Sequence, residues 1–359
     1  MKKKPIANTH VNNQTQAAAH FSQIKLGVDV HADSYRVVRQ IDGATPQPAQ
    51  KMSPAEFLRF ARKQTTLARE VHSCYEAGPF GYGLHRQLLE MGVKNIVVRP
   101  QNWDELGRGV KTDKTDALAL VQRLSFYVQG NDKALAVIAV PTVEQEEERA
   151  QTRHREQLQK DRQTHEAQGR SFLLYHGCRV RGQWWQEGAW AKIKVGQPAW
   201  RVELLENLRR LILCADELLQ KMTAQIEAAA PAQPKGIGAL TSQVLRREVL
   251  DWNRFKNRRQ VASLTGLCPG VRASGNKSIS GSITKHGNPR RRRALIVLAW
   301  RIVRFQPDYG PVRRWAPVLA RKENRGGRKK AIVAIGRRLA IDLWRIETKR
   351  ATAASLQLV

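Results

Sequence analysis

Residues 24–31 read Ile24-Lys25-Leu26-Gly27-Val28-Asp29-Val30-His31, an apolar run that turns polar at its end. Its composition and length predict a short strand over Ile24–Val30. A second strand, Ser34–Gln40, follows after a tight polar turn. Next, Ser53-Pro54-Ala55-Glu56 carries a helix start: a serine cap, a proline at the first helical position and a glutamate that completes a capping box. A third strand is expected at Glu70–Tyr75, a helix near Tyr82–Met91 and a further strand at Asn95–Val98. A hairpin first, then strands alternating with helices, predicts an α/β domain over residues 25–142, built on a mixed sheet flanked by helices.

Working outward, the pattern changes. Residues 143–175 hold few apolar side chains, and a helix polar nearly all round is usually solvent-bridging. In 201–230, Leu204, Leu208, Leu211, Ala215, Leu218 and Met222 step by four and three. That seam predicts an antiparallel helical pair or coiled coil, with an ordinary amphipathic core helix as the alternative. Pro231-Ala232-Gln233-Pro234 ends it. Residues 143–230 thus read as a helical linker, and 231–359 as a third, mainly α and very basic region. On the other side, Met1-Lys2-Lys3-Lys4 is followed by no apolar segment, so 1–24 reads as a disordered tail and not a signal peptide.

The 359 residues carry a formal net charge of +31, which makes nucleic acid the leading partner. The longest apolar runs, Ala134–Val140 and Ala294–Trp300, are too short to span a bilayer, so no membrane role is expected. Cys74, Cys178, Cys214 and Cys268 are scattered without a close pair, which suits reduced thiols in a cytoplasmic protein, nucleoid-associated when on DNA.

Acidic residues mark a candidate metal site. Asp29 ends the first strand, Glu76 follows the third in Tyr75-Glu76-Ala77-Gly78, and Asp113 and Asp116 lie in Lys111-Thr112-Asp113-Lys114-Thr115-Asp116-Ala117. The spacing of the last two puts both on one face of a helix start. Two-metal phosphodiester chemistry needs such hard oxygen ligands, roughly 3.5–4 Å between the Mg²⁺ ions they hold. Taken singly each acid has a plainer reading, Asp113 as a cap and Asp29 as part of a turn.

Further on, Lys235-Gly236-Ile237-Gly238 precedes a helical run. A Gly-x-Gly turn there exposes backbone N–H groups to a phosphate, as in a helix-hairpin-helix element, or is a plain interhelix turn. Residues 266–288 read as a Gly- and Ser-rich loop that leads into the basic helix 290–304. Lys277, Lys285, Arg290, Arg292 and Arg293 are candidate phosphate ligands, with Lys235, Gly236 and Gly238 beside them. The tryptophans at Trp184, Trp185, Trp190 and Trp200 suit base stacking or packing between helices, packing being favoured.

The order GVDVH, YEAG and KTDKTDA resembles the RuvC-like, RNase H-fold domain of the DEDD insertion-sequence transposases, relatives of the Piv DNA invertase (the insertion-sequence one-hundred-and-ten family). Downstream, Gly266-Leu267-Cys268-Pro269, Ser274-Gly275 and Gly281-Ser282-Ile283-Thr284-Lys285-His286-Gly287-Asn288 resemble that family's C-terminal transposase domain. The resemblance implies that Asp29, Glu76, Asp113 and Asp116 bind Mg²⁺ and that Ser274 is the nucleophile, with Ser278, Ser280 and Ser282 as fallbacks. It further implies strand cleavage and rejoining of DNA, a structured guide RNA from the same element, and a dimer or tetramer. Two departures stand out: Lys235 where the family usually has proline, and Arg291 where it usually has an apolar residue. A buried arginine there is costly unless it reaches solvent or a phosphate. The alternatives are a RuvC-like nuclease that uses the acids alone and a non-catalytic nucleic-acid-binding protein.

Overall fold

A computed structural model describes residues 20–101, 113–274, 277–321 and 323–358, and excludes the side chains of Asp113, Lys114 and Lys277. The chain forms two compact units that meet in sequence at Val140/Pro141.

In the first unit, β1 (Phe21–Val30), β2 (Tyr35–Ile41), β3 (Gln50–Met52), β4 (Ala68–Glu76) and β5 (Lys94–Val98) form one sheet in the order β3-β2-β1-β4-β5. β1 pairs antiparallel with β2 and parallel with β4, which pairs parallel with β5, so the sheet is mixed as expected. Helix α1 (Pro54–Leu67) starts with the expected capping box: the Ser53 hydroxyl accepts from the Glu56 N–H, and the Glu56 carboxylate accepts from the Ser53 N–H at 2.7 Å. Alternation along β1 divides the faces. Ile24, Leu26 and Val28 share a core with Phe57 and Ala61 of α1 and Leu88 of α2 (Gly83–Glu90). The opposite face carries Gly27 and Cys74, against helix α3 (Asp113–Val128). Two details differ from the sequence reading. The tail boundary at 24 falls too late, since Phe21 already pairs with Ala68 and Ile24 is fully buried; residues 1–19 lie outside the described residues. The edge strand β3, three residues long, is too short and polar to show a period.

The second unit begins with α4 (Val143–Tyr175), which runs antiparallel to α6 (Ala199–Ala228). Arg155 donates to Thr223, Arg162 pairs with Asp216, and Leu173 shares a cluster with Leu205 and Ile212. The buried seam is Leu205, Ile212, Ala215, Leu219 and Ile226, with Leu208 and Met222 partly covered between them. This corrects half of the predicted seam: Leu204, Leu211 and Leu218 are exposed and their neighbours Leu205, Ile212 and Leu219 are buried instead, while Leu208, Ala215 and Met222 face inward as expected. Nor does α4 bridge solvent: its polar side chains meet polar partners on α6 and beyond. Between the two helices, with α5 (Glu187–Lys194), Trp184, Trp185 and Trp190 are buried. Trp184 lies directly against Gly169, where a Cβ would fall 2.0 Å from its ring. Packing is therefore the role of these three, while Trp200 is half exposed.

The remainder is a helical core of α7 (Ala239–Val249), α8 (Arg258–Leu264), α9 (Pro289–Phe305), α10 (Gly310–Ala320) and α11 (Arg325–Glu347). Residues 266–288, read from sequence as a loop, instead contain an antiparallel hairpin of β6 (Pro269–Ser274) and β7 (Lys277–Ile283). Val271, Ile279 and Ile283 supply β-branched residues at paired positions.

Candidate functional site

Asp29 is the next-to-last residue of β1 and Glu76 the last of β4. The parallel register pairs Gly27 with Cys74 and Val28 with Tyr75, so each acid stands one residue beyond the last of these pairs, at the same end of neighbouring strands. By alternation both belong to the face of Gly27 and Cys74, the face covered by α3. Asp29 Oδ2 lies 3.1 Å from His31 Nε2, and Glu76 accepts from the Gln101 N–H at 3.2 Å.

Gly27 explains why α3 comes so close. A Cβ on Gly27 would fall 2.4 Å from the Ala117 carbonyl and 2.5 Å from the Val121 nitrogen. Beside it, the Cys74 thiol donates to the Leu120 carbonyl, and burial, with the Glu76 charge, pushes that thiol up in pKa. Asp116 immediately precedes Ala117, so its helix position is fixed by this contact. The carboxylates are hard donors that suit Mg²⁺. Among the described residues, however, no three His, Cys, Asp or Glu side chains form a metal-holding group, and the fourth acid's side chain, Asp113, lies outside them. The structure thus brings Asp29 and Glu76 to one sheet end and sets α3 against that face, without assembling a ligand set from the described residues alone.

In the second unit, Ser274 is exposed at the end of β6, across the hairpin tip from Lys277. Ser278 and Ser280 pair with Ala273 and Val271, and with Ser282 they are also exposed. The base of the hairpin is tied down where two left-handed turns cross. Lys285 (φ 54°) donates its N–H to the Gly266 carbonyl, and Gly266 (φ 66°) has no room for a Cβ, which would fall 2.3 Å from the His286 carbonyl. Arg292 donates to the Lys285 carbonyl at 3.0 Å.

The arginine run is occupied within the unit. Arg290 and Arg293 both donate to the Glu156 carboxylate on α4, the latter at 2.7 Å. Burial alone would raise the Glu156 carboxyl, but these two hydrogen bonds hold it below its ordinary value. Arg291 points inward. Burial, then the neighbouring Arg254 charge, pulls its pKa down to about 10, with the nearby Glu248 opposing. The Glu248 side chain is fully buried and accepts from both Arg153 Nε and Nη2 at 3.0 Å, with Arg149 and Asn288 also on it. Arg291 neither snorkels nor stands alone: it enters a buried cluster of arginines around one carboxylate, which sequence could not reveal because the partners come from α4 and α7.

Lys235 is exposed, and Gly236 (φ 88°) makes the turn before α7. That turn packs on the end of α9: Arg301 donates to the Gly236 carbonyl and Gln306 to the Lys235 carbonyl. Gly238 caps α7 without a side chain. Among the described residues no helix is long and apolar enough to cross a membrane.

A mixed sheet with acids at its strand ends and a strongly basic helical unit bearing an exposed serine hairpin suit the class of proteins that act on nucleic acid. Residues 232–310 match the family model described as Transposase IS116/IS110/IS902 family. Over 320 residues, 81% of this chain and 80% of the relative, the sequence is 32% identical to the protein y4rJ of Sinorhizobium fredii (strain NBRC 101917 / NGR234), which is named as a transposase. It is also 25% identical over 350 residues, 91% of this chain and 90% of the relative, to the transposase for insertion sequence element IS1111A of Coxiella burnetii. The chain belongs to the IS116/IS110/IS902 family of transposases.

Proposed function

We propose that this transposase cuts and rejoins DNA through a serine nucleophile, Ser274, together with an acidic Mg²⁺ site, in the manner of the DEDD, Piv-related enzymes. The observation that carries the reading is Ser274 itself: an exposed hydroxyl at a hairpin end, inside the segment matched by the family model. In the first step Ser274 Oγ attacks a DNA phosphorus. The Oγ–P bond forms, the bond from phosphorus to one deoxyribose oxygen breaks, and the serine proton ends on that leaving oxygen. Religation reverses the exchange with a different deoxyribose hydroxyl. A serine hydroxyl is a weak nucleophile and needs activation; Lys285, with Lys277 as the other candidate from the sequence, would supply positive charge for the phosphate.

The first unit is read as an RNase H-like, RuvC-like domain, which suits its mixed sheet and the acids at the ends of β1 and β4. Asp29, Glu76, Asp113 and Asp116 would hold the cation. Bound Mg²⁺ supplies Lewis-acid charge to phosphate oxygens. The serine and the acids stand on different units, so a dimer or tetramer, pairing Ser274 of one subunit with the acids of another, completes the centre. DNA is the substrate, and a structured RNA from the same element is the expected guide.

The test is Ser274→Ala in a recombination assay with trapping of protein–DNA adducts. Loss of both adduct and recombination, with DNA binding kept, is expected. Normal adduct formation would falsify the assignment, and loss only in Ser278, Ser280 or Ser282 variants moves the nucleophile along β7. Asp29→Ala should retain binding and lose recombination; equal loss of both would make Asp29 a folding residue.

A further inference from the structure

Helices α8, α10 and α11 enclose a concavity of about 690 Å³ that the sequence motifs do not mark. Five arginines line it: Arg258, Arg259, Arg314, Arg337 and Arg338. Arg338 is paired with the buried Asp342 at 3.0 Å. The other four have no carboxylate within ion-pair distance among the described residues. This contrasts with the run at 290–293, whose outward arginines are occupied by Glu156. Four uncompensated guanidinium groups around one cleft concentrate positive potential there. Between them the wall is apolar, formed by Ala262, Ala334, Ile341 and the half-buried ring of Trp315.

We propose that this concavity binds an unpaired nucleotide of a single-stranded nucleic acid, its phosphates on the arginines and its base against Trp315. Guanidinium forks match phosphate oxygens in pairs, and an aromatic wall beside them stacks a base whatever its identity. The space is of the size that takes a small molecule. In a duplex the bases are already paired and stacked, so a duplex offers the phosphates but not the base. The inference takes from the family only that nucleic acid is the partner. It uses neither Ser274 nor the acidic residues, and it stands or falls separately from them.

The experiment is a fluorescence-anisotropy titration of the full chain with labelled oligothymidylate, oligouridylate and a DNA duplex of equal length. The variants are the pair Arg314→Ser with Arg337→Ser, the single Trp315→Leu, and a control pair of equal charge loss on α6, Arg210→Ser with Lys221→Ser. The arginine pair is expected to weaken single-strand binding about tenfold and to lower the salt slope by about 1.4, two phosphates' worth. Trp315→Leu is expected to weaken it about tenfold with the slope kept. Duplex binding should change less than twofold in Trp315→Leu and should weaken less than single-strand binding in the arginine pair, and the control pair should bind single strands as the parent does. Preference for the ribose or deoxyribose strand identifies which partner supplies the nucleotide; either preference, or none, fits the shared chemistry. Single-strand affinity unchanged in the arginine pair, or an equal loss in the control pair or on the duplex, overturns the proposal. Because Trp315 also touches the core, melting curves accompany each variant; should Trp315→Leu unfold, the arginine pair, neither member of which is buried, decides.

Discussion

Glu248 and Arg291, two charged residues in one buried cluster, carry opposite energetic signs. Burial would raise the Glu248 carboxyl, but Arg153, Arg149 and Asn288 hold it below its ordinary value. Removing its charge takes a counter-charge from the mostly buried Arg149 and Arg291, and Glu248→Gln should destabilise the second unit by about 3–5 kcal/mol. Arg291 is surplus to that balance. Its lowered pKa means that the folded state disfavours the proton, and at neutral pH, well below about 10, the whole penalty is present. Arg291→Leu should therefore stabilise the protein by about 1–3 kcal/mol. Urea midpoints for the two variants should move in opposite directions; a destabilised Arg291→Leu would mean that the guanidinium is a needed partner of Glu248. The sequence made this arginine conspicuous and its cost predictable. It did not reveal the remedy, because Arg153 and Glu248 lie 138 and 43 residues away, on helices whose packing no local pattern encodes.

At the scale of elements, the α4–α6 pair was legible and its register was not. Leucine or isoleucine occupies adjacent positions at 204 and 205, 211 and 212, and 218 and 219, so two heptad stripes of near-equal apolarity run side by side. Periodicity cannot choose between them; the polar partners on α4 do. Ile212→Ala should cost about 2–5 kcal/mol, while Leu211→Ala should stay within about 0.5 kcal/mol. Equal effects in thermal melts would contradict the observed register. The strand ends bearing Asp29 and Glu76 were readable from apolar runs that turn polar, yet the approach of α3 was hidden in a single glycine. Gly27→Val would force the Ala117 carbonyl and Val121 away from β1. It should abolish activity together with a loss of several kcal/mol in stability. A variant that melts like the parent would show that the helix can move aside. The hairpin of β6 and β7 escaped notice because glycine and serine dominate its sequence and mask a period of two.

For the molecule as a whole, charge and protons set two further expectations. With a net charge of +31, nucleic-acid affinity should fall steeply as salt rises, and a flat response would remove the electrostatic basis for binding. The first unit should lose stability on mild acidification. Burial, with the Arg86 charge, lowers the pKa of His85, whose Nδ1 accepts from the Asn95 amide at 2.8 Å. Burial likewise lowers His72, with Glu70 opposing. The unfolded chain therefore binds protons first, and stability declines as pH falls below about 6.5. His85→Gln should flatten the change in melting temperature between pH 7 and about pH 5; an unaltered slope would assign it elsewhere. Finally, the hairpin that carries Ser274 has two strands, exposed along most of their length, and among the described residues its hydrogen bonds to the rest of the unit lie at its base. A ribbon of this kind is marginal in isolation, and such segments open without the rest of the fold. Its backbone amides should exchange with deuterated water far sooner than those of α9 or α11. The slowing of that exchange at residues 277–283 when DNA is added would then report, without any catalytic turnover, the moment at which the nucleophile is held still.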